Sequence, residues 1–284
     1  MLKHQRYTVI YMSILCLLSN AVAFADNHKK PRIVSLYSAY TEMLIAIGAE
    51  DSIVGTTSRE AKKLGVISVG NHMNPSIEAV ISCQPDFVIA FAKNHSRFEK
   101  LNQYLTKLNI QFLIVAPTNI KEVQDLILTL GNKTNCYQSA KKIVKNINTD
   151  LAKLNDLVTK LKQKKTVFVE VRQAPTFLTC GKNSIVADII HYAGAKIVVA
   201  GNKSVNRIDI EAIIKANPDF YLQQRGMMNR HPKSPDKESL IAFLPCVQRG
   251  NFGIINEKLV SRPGINVAKA ALKIYNLIYN KNEK

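Results

Sequence analysis

Ser76-Ile-Glu-Ala-Val-Ile-Ser-Cys-Gln-Pro-Asp-Phe-Val-Ile-Ala90 returns in the second half of the chain as Asp209-Ile-Glu-Ala-Ile-Ile-Lys-Ala-Asn-Pro-Asp-Phe-Tyr-Leu-Gln223. Each copy opens on a residue suited to an N-cap, Ser76 or Asp209, and carries a glutamate two positions later, Glu78 or Glu211. Apolar residues at Ile77, Val80 and Ile81, matched by Ile210, Ile213 and Ile214, give a short helix one buried stripe. Pro85 and Pro218 then stop it, because proline removes a donor and clashes with the preceding turn. The runs that follow, Phe87 to Ala90 and Phe220 to Leu222, are continuously apolar, as expected for parallel strands covered on both faces. A carboxylate in a first helical turn complements the helix dipole whatever else it does, yet both halves use glutamate there.

Outward from these units the chain alternates strand and helix. The pattern predicts strands at Ile33 to Leu36, Ile53 to Thr56 and Phe112 to Val115, with helices near Thr41 to Ile47, His95 to Leu108 and Ile120 to Leu130. Tyr137 to Lys165 holds no glycine or proline, and its apolar residues recur at helical spacing, which predicts one long amphipathic helix. Alternation then resumes, with strands at Thr166 to Val171, Ile197 to Val199 and Phe252 to Ile255, and helices at Ser184 to Tyr192, Glu238 to Phe243 and Val267 to Tyr279. The expected fold is α/β: two Rossmann-like lobes, residues 26–135 and 166–284, joined by a single long backbone helix at residues 136–165. A single helix spanning both lobes limits them to small movements.

Residues 1–25 read as a signal peptide. Lys3 and Arg6 precede an apolar run too short to cross a bilayer, and Ala23-Phe-Ala25 offers small residues for cleavage near Ala25. Cys16 follows Leu15, which is not small, and so is a poor lipid-attachment site. The expected destination is a Gram-negative periplasm. The net charge of +18 becomes +16 without the leader, 37 basic against 21 acidic residues, a field that draws anions without identifying one. Nucleic acid is excluded as a partner, because the lysines are scattered without an aromatic-basic motif and the chain is addressed out of the cytoplasm. Cys83 and Cys136 in the first half, and Cys180 and Cys246 in the second, suit an oxidising compartment. Four cysteines allow three connectivities, of which pairing within each half is expected; buried thiols acting as small hydrophobes are the alternative.

No Gly-x-Ser-x-Gly elbow, His-Glu-x-x-His pair, Cys-x-x-Cys, phosphate loop or Gly-x-Gly-x-x-Gly is present. An exported hydrolase is therefore the weaker reading, and a binding protein without catalysis or a resident cofactor or metal the better one.

Pro31-Arg-Ile-Val-Ser-Leu36, Thr41-Glu-Met-Leu44, Val54-Gly55, Val69-Gly70, Asn74-Pro-Ser-Ile-Glu78, Pro85-Asp86, Gly181-Lys182, Ala193-Gly194, Pro218-Asp219 and Ser261-Arg-Pro-Gly264 together resemble the periplasmic cobalamin- and ferric-siderophore-binding proteins of ABC importers, those with a helical backbone between lobes. The resemblance covers nearly the whole chain beyond the leader. It implies a monomeric receptor that holds a metal complex between its lobes and delivers it to an inner-membrane permease dimer. Glu78 and Glu211 match the family's two permease-docking glutamates, one per lobe.

Ligands of open α/β sheets sit beyond the carboxyl ends of the strands, which points to Tyr37, Tyr40, Arg59, His72, Phe91, Arg172, Phe177 and Arg225. Aromatic walls suit a large flat ring, and arginines suit carboxylate or catecholate oxygens. Phe91 keeps an aromatic expected of cobalamin binders, whereas His72 replaces another and tryptophan is absent. Phe168 to Phe177 followed by Thr179-Cys-Gly-Lys182 is more similar to the cobalamin branch, and the balance falls on cobalamin, with a ferric siderophore next. Haem or a nickel chelate would instead use His72 with Met73, Met227, Met228 or His231 as ligands.

Overall fold

Short, continuously apolar strands build a parallel sheet in each half of the chain. The computed structural model describes residues 30–93, 95–173, 175–198 and 201–280. The expected leader and its cleavage site lie outside them. In the first half β1 (Ile33–Ser35), β2 (Ile53–Thr56), β3 (Ile67–Ser68), β4 (Phe87–Phe91) and β5 (Gln111–Val115) form a five-stranded sheet in the order β3-β2-β1-β4-β5. In the second half β6 (Thr166–Glu170), β8 (Lys196–Ile197), β10 (Phe220–Arg225) and β11 (Phe252–Asn256) form a four-stranded sheet, ordered β11-β10-β6-β8. All pairs within these two sheets are parallel, as the apolar runs require. A separate antiparallel pair, β7 (Leu178–Cys180) with β9 (Val205–Arg207), has no counterpart among the described residues of the first half.

The duplicated segment has the same construction in both lobes. Its helices are Ile77–Ser82 and Ile210–Ala216, and each ends on a residue in the left-handed region, Gln84 at φ 45° and Asn217 at φ 41°. The proline follows, and the aspartate after it reaches across to the neighbouring strand. Asp86 accepts from the Arg32 amide and Asp219 from the Thr166 amide, both at 2.8 Å. The Pro-Asp pair therefore ends a helix and ties down the entry of the adjacent strand. One difference separates the copies: Ser76 Oγ caps the Ala79 amide at 3.1 Å, whereas Asp209 makes no side-chain cap bond.

The long helix runs Tyr137–Val158 rather than to Lys165. After Val158 the chain offers Leu161 as its one apolar residue in a lysine-rich stretch, and the Leu161 amide donates to Val158 O in a tight turn. Buried Ala140, Ile147, Leu151 and Leu154 face helices Ile120–Lys133 and Val267–Tyr279. One hydrophobic cluster contains these residues together with Ile33 and Phe87 of the first sheet and Val167 and Phe220 of the second. Pro31–Lys284 accordingly groups as one compact unit in which both lobes share a core along the rod.

Alternate residues of the same strands point the other way. Val34, Val88 and Ala90 enter a second cluster on the far face of the first sheet, and Phe168 and Tyr221 a third on the far face of the second. This corrects the expected disulfides, since all four cysteines are free thiols. Cys83 lies in the far-face cluster of the first sheet while Cys136 packs on the shared core. Cys180 belongs to the shared core and Cys246 to the far-face cluster of the second sheet. In each half the two thiols thus pack in different hydrophobic clusters rather than against each other. A second correction concerns Glu238 to Phe243, where turns replace the expected helix, flanked by a 3₁₀ turn at Pro235–Lys237 and a short helix at Pro245–Gln248.

Candidate functional site

Strand direction brings the carboxyl ends of β1 and β4 to one edge of the first sheet, and aromatic residues gather there. Tyr37 follows β1 and precedes helix Ser38–Ala46; Phe91 is the last residue of β4. Their rings stack with centroids 4.7 Å apart and planes 21° apart. Tyr40 meets Tyr37 edge-on at 5.2 Å, and His72, on the loop after β3, does so at 5.8 Å. Tyr40 is fully buried and donates its hydroxyl to Val115 O at 3.0 Å, so it braces the cluster from beneath. Tyr37 and Phe91 are half-buried and His72 is exposed.

The second lobe reaches this cluster through a segment beyond β11. Helix Glu257–Val260 leads into Ser261, Arg262 and Pro263, and Arg262 Nη1 donates to Ser38 Oγ at 2.6 Å across the lobes. Ser261 Oγ in turn donates to Gln224 Oε1 at 2.8 Å, tying the segment to the end of β10. Charge and burial act together here. Burial pushes the Tyr37 phenol up to about 12, against the nearby Arg262 and with a contribution from Glu257. The His72 pKa is lowered, first by partial desolvation and then by the guanidiniums of Arg262 and Arg97, with Glu60 opposing. Both effects favour the neutral imidazole, the form that can ligate a metal.

On the second sheet, β10 ends in Arg225 and a tight turn follows, in which the Gly226 and Asn229 amides each donate to the other's carbonyl at 3.1 Å. A Cβ on Gly226 would collide with the Glu257 side chain, so this close approach requires glycine. The turn leaves Met227 and Met228 exposed at 56% and 43%, and Met73 beside His72 is exposed at 52%. Such large apolar exposure at two loop tips is unusual in cores but suited to contact surfaces.

The expected site residues divide accordingly. Tyr37, Tyr40, His72 and Phe91 form one cluster. Arg172 is half-buried beyond β6 and its Nε has no protein partner. Phe177 is buried in the far-face core of the second lobe among Phe168, Tyr221 and Ile241. Arg59 and Arg225 are exposed at the ends of their strands' connections. Glu78 and Glu211 are both exposed in the first turn of their matching helices, and the Glu78 carboxyl lies below its usual range through its own amide and the Ser76 hydroxyl. Sequence reasoning did not single out Arg262, Glu257, Gln224 or Glu170. For Arg262 a signal existed in Ser261-Arg-Pro-Gly264, an arginine at a turn where the chain re-enters a helix; the other three are legible only from the packing.

A family model described as periplasmic binding protein matches residues 33–240. An uncharacterized ABC transporter substrate-binding lipoprotein of Bacillus subtilis, YvrC, is 26% identical over 257 residues, 88% of this chain and 81% of its own length. The vitamin B12-binding protein of Vibrio parahaemolyticus is 20% identical over 87% of this chain and 89% of its own. Among solved structures, the periplasmic haem-binding protein HutB of Vibrio cholerae superposes with a TM-score of 0.75 at 22% identity, covering 88% of this chain and 99% of that one. The fold and the extent of the family match agree, and the chain belongs to the periplasmic binding protein family, as a substrate-binding transport protein and not an enzyme.

Proposed function

We propose that this protein is the substrate-binding component of an ABC importer and that its cargo is a flat metal tetrapyrrole, haem in the first place. The observation that carries this reading is the half-buried Tyr37–Phe91 stack with His72 against its edge, in a chain that also exposes the thioethers of Met73, Met227 and Met228. A stacked aromatic pair offers a planar ring area and dispersion contact. Haem iron takes axial ligands from protein side chains, imidazole and thioether among them. His72, with its pKa lowered, and Met73, Met227, Met228 or His231 would supply that chemistry. Arg262 and Arg172 provide cations for carboxylates on the ring periphery.

Cobalamin is the second reading. It is favoured by the run from Phe168 to Phe177 with Thr179-Cys-Gly-Lys182, and by the relative named a vitamin B12-binding protein. Cobalamin carries its metal already ligated, so it would use the aromatic wall and leave the soft donors idle. Delivery falls to Glu78 and Glu211, one exposed carboxylate per lobe on equivalent short helices. Matching charges on two lobes suit docking to a two-fold permease, where such pairs orient more than they tighten.

Titration of the purified protein with haemin, cyanocobalamin, a ferric catecholate and a nickel chelate separates the cargoes. The expected result is one equivalent of haemin bound with a shifted Soret band, lost in His72→Ala. Saturable quenching by cyanocobalamin without a haemin response would move the assignment to cobalamin; no response to any of the four would remove the receptor reading. Glu78→Lys with Glu211→Lys is expected to abolish uptake in cells while haemin binding stays intact, and normal uptake by that double variant would refute the docking role.

A further inference from the structure

Glu170, at the end of β6, is completely buried, and no cation among the described residues pairs with it. Three neutral donors converge on its carboxylate: Tyr221 Oη at 2.7 Å and Gln223 Nε2 at 3.3 Å on Oε2, and Asn229 Nδ2 at 2.7 Å on Oε1. Tyr221 and Gln223 belong to the neighbouring strand β10, but Asn229 closes the turn that exposes Met227 and Met228. Asn229 Nδ2 also donates to Gln224 O at 3.0 Å, and Gln223 Nε2 donates to Lys233 O at 2.9 Å farther along the same loop. Glu257 Oε2 accepts from the Met228 amide at 3.3 Å. The loop from Gly226 to Lys233 is thus strapped down at three points, and Glu170 is the buried one. Gln223 Oε1 in β10, Arg172 Nε just beyond β6 and Thr179 Oγ1 in β7 are buried without partners among the described residues.

We propose that Glu170 is a positioning residue for ligand capture: through Asn229 it holds the Gly226–Lys233 strap so that Met227 and Met228 face the cleft. A buried carboxylate without a counter-ion is costly and brings no gain to a core that an apolar residue could fill. What it supplies is an acceptor that two strand donors and one loop donor can share. No neutral side chain of that size accepts three such bonds; a glutamine would oppose at least one donor with its own amide hydrogens. Hydrogen bonds to a charged group are the stronger kind, so this one fixes the loop against β6 in a way that the exposed thioethers cannot. The inference rests on the cleft being the cargo site, but its first readout does not need the cargo.

Hydrogen exchange in Glu170→Gln tests it. The amides of Gly226 and Asn229, which bond to each other's carbonyls, are expected to exchange roughly tenfold faster or more, as loss of a charge-assisted bond implies, with β6 and β10 unchanged. Haemin affinity is expected to fall by about the same factor. Uniform acceleration across the second lobe, or an unchanged strap, would overturn the proposal. Should Glu170→Gln fail to fold, Asn229→Ala removes the same link from the loop side, and wild-type exchange and affinity in that variant would equally overturn it. Wild-type protein that binds no haemin refutes the cargo assignment alone, because the exchange comparison stands without it.

Discussion

Truncating Phe91 separates a binding wall from ordinary packing. Full burial of a phenylalanine makes its replacement by alanine cost about 3 to 5 kcal/mol. Phe91 is half-buried, so roughly 2 kcal/mol is expected for Phe91→Ala, of which about 0.5 to 1.5 is the stacked contact with Tyr37. Phe91→Leu keeps most of the apolar volume and should cost only about 1 kcal/mol. If the stack is the wall against which a flat ring lies, both variants lose the same planar surface, and each should weaken haemin by roughly tenfold, corresponding to about 1.4 kcal/mol. Urea unfolding gives the stability difference and absorbance titration the affinity. The informative comparison is Phe91→Leu, which is nearly as stable as wild type but lacks the ring. Wild-type affinity for haemin and cyanocobalamin in that variant would mean that Tyr37 and Phe91 stack for the sake of the first lobe's core, and the cargo site would have to be sought elsewhere.

Arg262→Met removes a charged donor from Ser38 and a positive neighbour from His72. Stability should fall by about 1 to 2 kcal/mol, and the His72 pKa should rise, because a nearby cation disfavours the imidazolium. Since only the neutral ring binds a metal, haemin affinity in wild type should hold above the depressed His72 pKa and decline as pH falls through it; in Arg262→Met the decline should begin at higher pH. An unshifted profile, read by haemin titration at a series of pH values, would disconnect Arg262 from His72. The free thiols give a third expectation. Reductant should leave the melting temperature unchanged, and the denatured, unreduced protein should show Cys83, Cys136, Cys180 and Cys246 all reactive to a thiol reagent; a reductant-sensitive melt would contradict the placement in different clusters.

The fold was legible where one segment carries its own punctuation. Each copy of the duplicated unit contains its helix start, its proline stop and its strand, and the structure adds only the left-handed residue before proline and the aspartate bond to the next strand. Legibility failed where an element depends on a distant partner. The β7–β9 pair joins Leu178–Cys180 to Val205–Arg207, two short runs with no turn between them to announce a hairpin. Glu238 to Phe243 has helical spacing, but of its large apolar residues only Ile241 is buried while Leu240 and Phe243 are exposed, so little buried face rewards a helix. The cysteines misled because compartment and count say nothing about which hydrophobic cluster a residue joins: Cys83, Cys136 and Cys246 sit in or at the ends of helices and Cys180 in β7, and packing sends the members of each pair to different clusters. At the site, aromatic residues at strand ends were predictable from topology. Arg262 and Glu170 were not, because their roles lie in bonds across lobes and between strand and loop.

The way the lobes are joined bears on how a ligand can be held. Beyond the rod, Asp188 Oδ2 accepts from the Ile120 amide at 2.8 Å, capping a first-lobe helix with a second-lobe carboxylate, and Arg262 bonds Ser38. With a shared core beneath, a wide hinge opening would break both bonds and expose Ile33, Phe87, Val167 and Phe220 or their neighbours to water. Selectivity therefore has to come from surfaces already in place and from loops that can shift locally. The Tyr37–Phe91 stack is such a surface, braced by buried Tyr40. The Gly226–Lys233 strap is such a loop, with its anchor buried and its methionines outside. Affinity in this arrangement depends on preorganisation, since little ordering remains to oppose binding. A residue that fixes the strap then matters as much as one that touches the cargo, even though it lies in the interior and contacts nothing but its own chain.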